Sequence, residues 1–210
     1  MRWVLGPIPP SNCLDPEAAG WERLRSPTVR WAILRAALGM IPCFGAAAYA
    51  LFRAAGETPI GVFLAALILP ALIVPVHEVA HMIGYGVDPR STSLITGIWP
   101  AHGIWYVLFD GPLRRDRVLF MLAAPVLLVS VPLGLAAVVV GGPSGWLLTY
   151  LAAMHTALCI VDVGTFVRIL RQVPRCAWVH NQGWNTYWSE TPPALLESEG
   201  KTVGGQEFWR

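Results

Sequence analysis

Residues 70–86 read PALIVPVHEVAHMIGYG. Two histidines and a glutamate, His77, Glu78 and His81, fall within five residues of an otherwise apolar run. Imidazole and carboxylate are costly in hydrocarbon, so such a cluster needs a ligand or a partner to offset it. On a helix, residues four apart share one face about a turn apart. His77 and His81 can then address a single ion, with Glu78 beside the first of them.

The run belongs to one of four apolar blocks, near 31–52, 60–86, 118–140 and 146–171. Each is long enough to cross hydrocarbon, which takes about 20 residues. Of 210 residues, 55% are hydrophobic and 13% charged, with mean hydropathy +0.52. Soluble chains carry about a quarter charged residues. Uninterrupted blocks, rather than helix or strand periodicities, exclude a soluble protein with a large core. The expected fold is an all-α membrane protein with four transmembrane helices. Residues 87–116 contain SLITGIWP and HGIWYVLFDG, two β-branched and aromatic stretches separated by turn formers. They predict a short β-hairpin between the second and third spans.

Arginine placement sets the orientation. Arg23, Arg25 and Arg30 precede the first span, Arg90, Arg114, Arg115 and Arg117 follow the second, and Arg171 and Arg175 follow the fourth. Both termini are therefore expected in the cytoplasm, on a multi-pass protein of the cell membrane. Residues 1–30 form a cytoplasmic N-terminal segment, 31–171 the membrane unit, and 172–210 a cytoplasmic tail. A short hairpin is expected around NQG at 181–183, with a flexible tail from about 190 and a loose first 25 residues. The net charge of +2 argues against a nucleic-acid role. Cys13, Cys43, Cys159 and Cys176 show neither zinc-finger spacing nor a paired pattern.

The pattern H-E-x-x-H on a helix reads as zinc binding, with the glutamate as general base. A catalytic zinc takes three protein ligands and keeps one position open, so a third must come from elsewhere. His155 and Asp162, seven residues apart in the fourth span, are the candidates. If the second span leaves the membrane near residue 87, His77 lies ~15 Å deep and His81 ~9 Å, at 1.5 Å per residue. If the fourth leaves near 171, Asp162 is ~13 Å deep and His155 ~24 Å, roughly 10 Å past the histidine pair. Depth favours Asp162 as the third ligand. His155 is then a polar residue satisfied inside the bundle, or a support behind a ligand.

HEVAH in one span and an aspartate in a later one resemble the site-2 protease type of intramembrane zinc metalloprotease. More narrowly, the chain resembles a small bacterial family of zincin peptidases of unknown function. The resemblance covers about residues 60–185: HExxH, a strand-rich stretch, an arginine-rich approach to LAAP at 122–125, then a late span with Asp162. It implies that His77, His81 and Asp162 bind Zn2+ and that Glu78 is the catalytic base. Two features depart from the site-2 pattern. VDVG places Gly164 two residues after Asp162 rather than next to it, and Pro125 is only a loose counterpart of the Asn-Pro motif.

The expected activity is that of an intramembrane zinc-dependent endopeptidase acting on a membrane protein or peptide substrate within the lipid bilayer. The alternative is a non-catalytic membrane scaffold that binds client transmembrane helices. Such a scaffold needs the fold but has no use for Glu78 at that position. The sequence leaves the oligomeric state open.

Overall fold

The computed structural model describes residues 1–55 and 59–193. Strands β1 (Arg2–Leu5) and β2 (Glu22–Arg23) precede two long helices, α1 (Val29–Ala55) and α2 (Pro59–Tyr85). Strands β3 (Leu94–Trp99) and β4 (Ile104–Phe109) follow, and then the short β5 (Leu113–Arg114). Four helices come next: α3 (Arg115–Pro125), α4 (Val131–Val140), α5 (Gly142–Leu158) and α6 (Ile160–Gln172). Strands β6 (Trp178–Gln182) and β7 (Asn185–Ser189) complete the described order.

Helices α3 and α4 form one apolar rod, Arg115–Val140, with a wide π-turn at Val126–Ser130. There the Val131 N–H donates to the Val126 carbonyl, five residues back. Pro132 accounts for the irregularity: it has no N–H and its ring crowds the carbonyl four residues earlier, so the regular ladder cannot continue. Val29–Ala54 and Arg115–Val140 are each long and apolar enough to cross a membrane; α5 and α6 add a third span if that bent pair counts as one. Val138 and Val139 are 83% and 85% exposed. So open an apolar surface is consistent with contact to lipid. Helix α1 packs against α5 through Ala47, Ala50 and Tyr150, where small residues let the two backbones approach.

Helix α2 carries two faces. Leu72, Val76, Val79 and Ile83, spaced by four, three and four, point outward, while His77, Ala80, His81 and Tyr85 are buried. The 3.6-residue period thus separates an apolar outer stripe from a polar inner one.

The strands form two sheets. In the first, β1 runs parallel to β3, which pairs antiparallel with β4, in the order β1-β3-β4. The second has the order β2-β7-β6-β5. A core of Tyr85, Leu94, Val118, Met121, Ile169 and Val179 ties the helix ends to both sheets.

Three expectations are corrected. The chain is mostly helical but not all-α with isolated hairpins, because β1, β2 and β5 join the pairs β3–β4 and β6–β7 in two sheets. Residues 1–25 are not loose: Arg2–Leu5 register against Ile95–Ile98, and Glu22–Arg23 against Trp188–Tyr187. The fourth apolar block is not a straight rod, since α5 and α6 meet at 48°. At the joint Cys159 has ψ −6°, well away from the roughly −42° of a regular helix. The expected tail from about 190 lies, beyond residue 193, outside the described residues.

Candidate metal centre

The buried face of α2 brings His77 and His81 together, with Nε2 atoms 3.1 Å apart. Helix α6 places Asp162 Oδ2 3.2 Å from His77 Nε2 and 3.5 Å from His81 Nε2. The three atoms make a nearly equilateral triangle. Ligand atoms bound at about 2.0–2.1 Å in tetrahedral geometry stand roughly 3.3 Å apart, so this triangle has the size zinc requires. Both histidines are 7% exposed. Two imidazoles and a carboxylate converging away from water suit a divalent ion of intermediate softness.

The outer nitrogen of His81 has a specific partner. Its Nδ1–H donates to the Met121 carbonyl at 3.1 Å. In a regular helix that carbonyl would accept from residue 125, which is Pro125 and has no N–H. The proline in LAAP therefore frees the acceptor that His81 uses. With Nδ1 protonated, a neutral His81 presents its lone pair at Nε2, toward the triangle.

Gly84, one turn after His81, allows the contact. A Cβ at residue 84 would lie 2.6 Å from the Met121 Cα. Without one, α2 and α3 approach closely enough for a side chain on one helix to reach a main-chain carbonyl on the other.

His155 is where the straight-helix depth estimate fails. Instead of lying roughly 10 Å past the histidines, its Nε2 is 3.3 Å from His77 Nδ1. The bend at Cys159 swings α5 back so that His155, one turn before the joint, and Asp162, one turn after it, both face α2. His155 is fully buried, and its Nδ1 lies 2.7 Å from Ser130 Oγ, the last residue of the π-turn. Cys159 Sγ sits 3.8 Å from His77 Nδ1, so His77, His155 and Cys159 form a second cluster able to hold an ion.

Glu78 Oε2 is buried and has no hydrogen-bond partner. It shares with His77, His81 and Asp162 the wall of a cavity of about 600 Å3. Residues Ile104–Leu108 of β4 line the same cavity. Since β4 ends the order β1-β3-β4, one side of this wall is a sheet edge.

Sequence reasoning missed Ser130, Met121 and the position of His155. Pro125 and Pro132 carried the local signal, because each frees a carbonyl or distorts the turn where a contact to the site is made.

Residues 70–178 match the family described as "Putative zincin peptidase", and the chain belongs to that family. The match begins just before HEVAH and ends beyond Asp162, so it spans every residue of the triangle. No curated protein and no solved structure matches the chain.

Proposed function

We propose that the protein is an intramembrane zinc-dependent endopeptidase, with His77, His81 and Asp162 as ligands and Glu78 as the catalytic base. Its membrane unit crosses the bilayer four times, with α2 as the second span and α5–α6 as a bent fourth. Both termini and both sheets then lie on the cytoplasmic side, as the arginine distribution requires. The observation that carries the reading is the triangle of 3.1, 3.2 and 3.5 Å beside a buried, unpartnered carboxylate.

Zinc, when bound, makes a water molecule acidic near neutral pH and polarises a carbonyl oxygen. The chain's own residues do the rest. Glu78 Oε2, free of other partners, accepts the proton of the attacking water and passes it to the leaving amine. The outer edge of β4 offers backbone N–H and C=O groups to a substrate strand laid along the cavity. A transmembrane substrate must unwind to expose its peptide bond, and pairing with β4 offsets part of the lost helix hydrogen bonding. The surrounding apolar helices limit access of bulk water.

The test compares wild type, Asp162→Ala and Glu78→Gln as full-length protein in detergent. Zinc is expected near one per chain in wild type and Glu78→Gln but lost in Asp162→Ala, with hydrolysis of unstructured reporter peptides in wild type alone. Zinc absent from a folded wild type overturns the reading. Zinc present without any hydrolysis, under conditions that hold reporter peptides, favours the client-binding scaffold instead.

A further inference from the structure

Helix α6 brings a charge other than Asp162 to the cavity. Arg168, nearly two turns further along, shares the cavity wall with His77, Glu78 and Asp162. Its Nη2 donates to Thr165 Oγ1 at 2.8 Å, and Thr165 donates in turn to the Val161 carbonyl at 3.0 Å. Thr165 has one hydroxyl proton, so its oxygen is held as an acceptor for the guanidinium. The contact draws the head group of Arg168 back along α6, toward the triangle. An arginine that only snorkels would extend the other way, to the interface at the end of the helix.

No carboxylate balances this cation. Among the described residues, ion pairs join Asp162 to the two histidines and Arg115 to Asp116, and Arg168 takes part in none. Arg168 Nε is buried with no hydrogen-bond partner among those residues. A charge that does act on it is another cation, the exposed Arg35 of α1. Arg115 is the contrast: it pairs with Asp116, donates to the Leu170 carbonyl and does not line the cavity. A half-buried guanidinium without a counterion is costly until an anion completes it. Its planar fork matches a carboxylate, which accepts two parallel N–H groups.

We propose that Arg168 is a specificity-determining residue that binds an acidic side chain of the substrate two residues from the bond that is cleaved. The inference rests on the endopeptidase reading above and names the substrate class: a mostly apolar segment with one carboxylate near the scissile bond. The spacing follows from α6. Thr165 and Arg168 lie three and six residues past Asp162, ~4.5 and ~9 Å along the axis at 1.5 Å per residue. An extended strand advances ~6.6 Å in two residues, and residues two apart face the same way. A strand on β4 whose reacting residue faces the triangle thus presents its next side chain on that face at the level of the guanidinium. Ala36, Ala37 and Met40 of α1 line the same cavity and suit the apolar remainder of the segment.

Zinc-loaded full-length protein in detergent tests this with reporter peptides that differ only in Glu, Gln or Lys two residues from the cleaved bond, on either side. A charge-assisted pair of this kind corresponds to about 10–100-fold in kcat/KM. Wild type should prefer Glu over Gln by that factor on one side of the bond. Arg168→Gln should bring the ratio to about 1, and Arg168→Glu should turn the preference toward Lys. Arg168→Lys keeps the charge without the fork and should retain part of the ratio. A purely structural role would lower turnover of every peptide alike and leave the ratios unchanged. Binding of labelled peptides to Glu78→Gln, which should hold zinc without cleaving, gives a second readout. There the Glu peptide should bind more tightly than the Gln peptide, and adding Arg168→Gln should abolish the difference. Equal kcat/KM for Glu and Gln peptides in wild type, or a ratio that Arg168→Gln leaves unmoved at unchanged zinc content, overturns the assignment alone. So does a difference between wild type and Arg168→Gln in retention of phosphatidylglycerol but not in peptide preference, since the cation then serves a lipid headgroup. A folded wild type that binds no zinc and cleaves no reporter overturns the endopeptidase reading and this assignment with it.

Discussion

Substitution of Gly84 by alanine separates packing from chemistry at the site. The new methyl would stand 2.6 Å from the Met121 Cα and 3.0 Å from the Ala124 Cβ. Carbon atoms pack at about 3.5–4.0 Å, so α2 and α3 must part by roughly 1 Å. The His81–Met121 hydrogen bond, now 3.1 Å, would then stretch to about 4 Å and cease to be one. Overpacking of this kind costs about 1–3 kcal/mol of stability. Loss of the partner behind a ligand costs a further 10–100-fold in metal affinity, about 1.4–2.7 kcal/mol. Gly84→Ala should therefore melt earlier than wild type and bind zinc at least ~10-fold more weakly in chelator competition. Gly134→Ala is the matched control, because nothing lies within 4 Å of a Cβ at that position of α4. If Gly84→Ala binds zinc as tightly as Gly134→Ala, the close approach of α2 to α3 does not support His81, and the reasoning fails.

Removing zinc should itself lower stability. A metal held at 100 times its Kd contributes about 2.7 kcal/mol, or about 5–10 °C for a chain of this size, so chelation should shift the melting midpoint of wild type but not of Asp162→Ala. Gly97→Ala sets a Cβ 2.4 Å from the Val4 carbonyl and 2.6 Å from the Tyr106 ring, so it should release β1 from β3. Faster proteolysis at residues 2–5, with zinc content unchanged, is the expected readout. In β6, burial pushes the His180 imidazole below its usual range. The unfolded chain then binds a proton below about pH 6.5 that the folded chain refuses, so stability falls as pH drops through that value. Melting at pH 7.5 and 5.5 should show a smaller pH dependence in His180→Phe than in wild type; an equal dependence would exclude His180 as its source.

What could be read from the sequence follows the range of the interactions involved. HEVAH is local, so the shared face of His77 and His81 follows from helical periodicity alone. Asp162 lies 81 residues beyond His81, yet counting inward from the arginines put the two at similar depths, because α6 is regular between Asp162 and Gln172. The same counting misplaced His155, since it ran straight through Cys159, where the helix turns by 48°. No proline or glycine marks that joint, so composition gave no warning of it. Strand β1 was missed for another reason. Its partner lies some 90 residues away, and four residues reading RWVL carry too little pattern to announce a strand.

The pairing of Glu22–Arg23 with Tyr187–Trp188 also imposes a timetable. A ribosome adds about 5–20 residues per second, so strand β2 waits roughly 10–30 s for its partner to be made. During much of that interval α1 and α2 are already made, and His77 and His81 are present without Asp162. The pair alone is a two-ligand site. The third corner of the triangle must await α6, and closure of the four-stranded sheet comes later still. On this schedule the nascent chain passes through a two-histidine stage before the triangle with Asp162 can be complete.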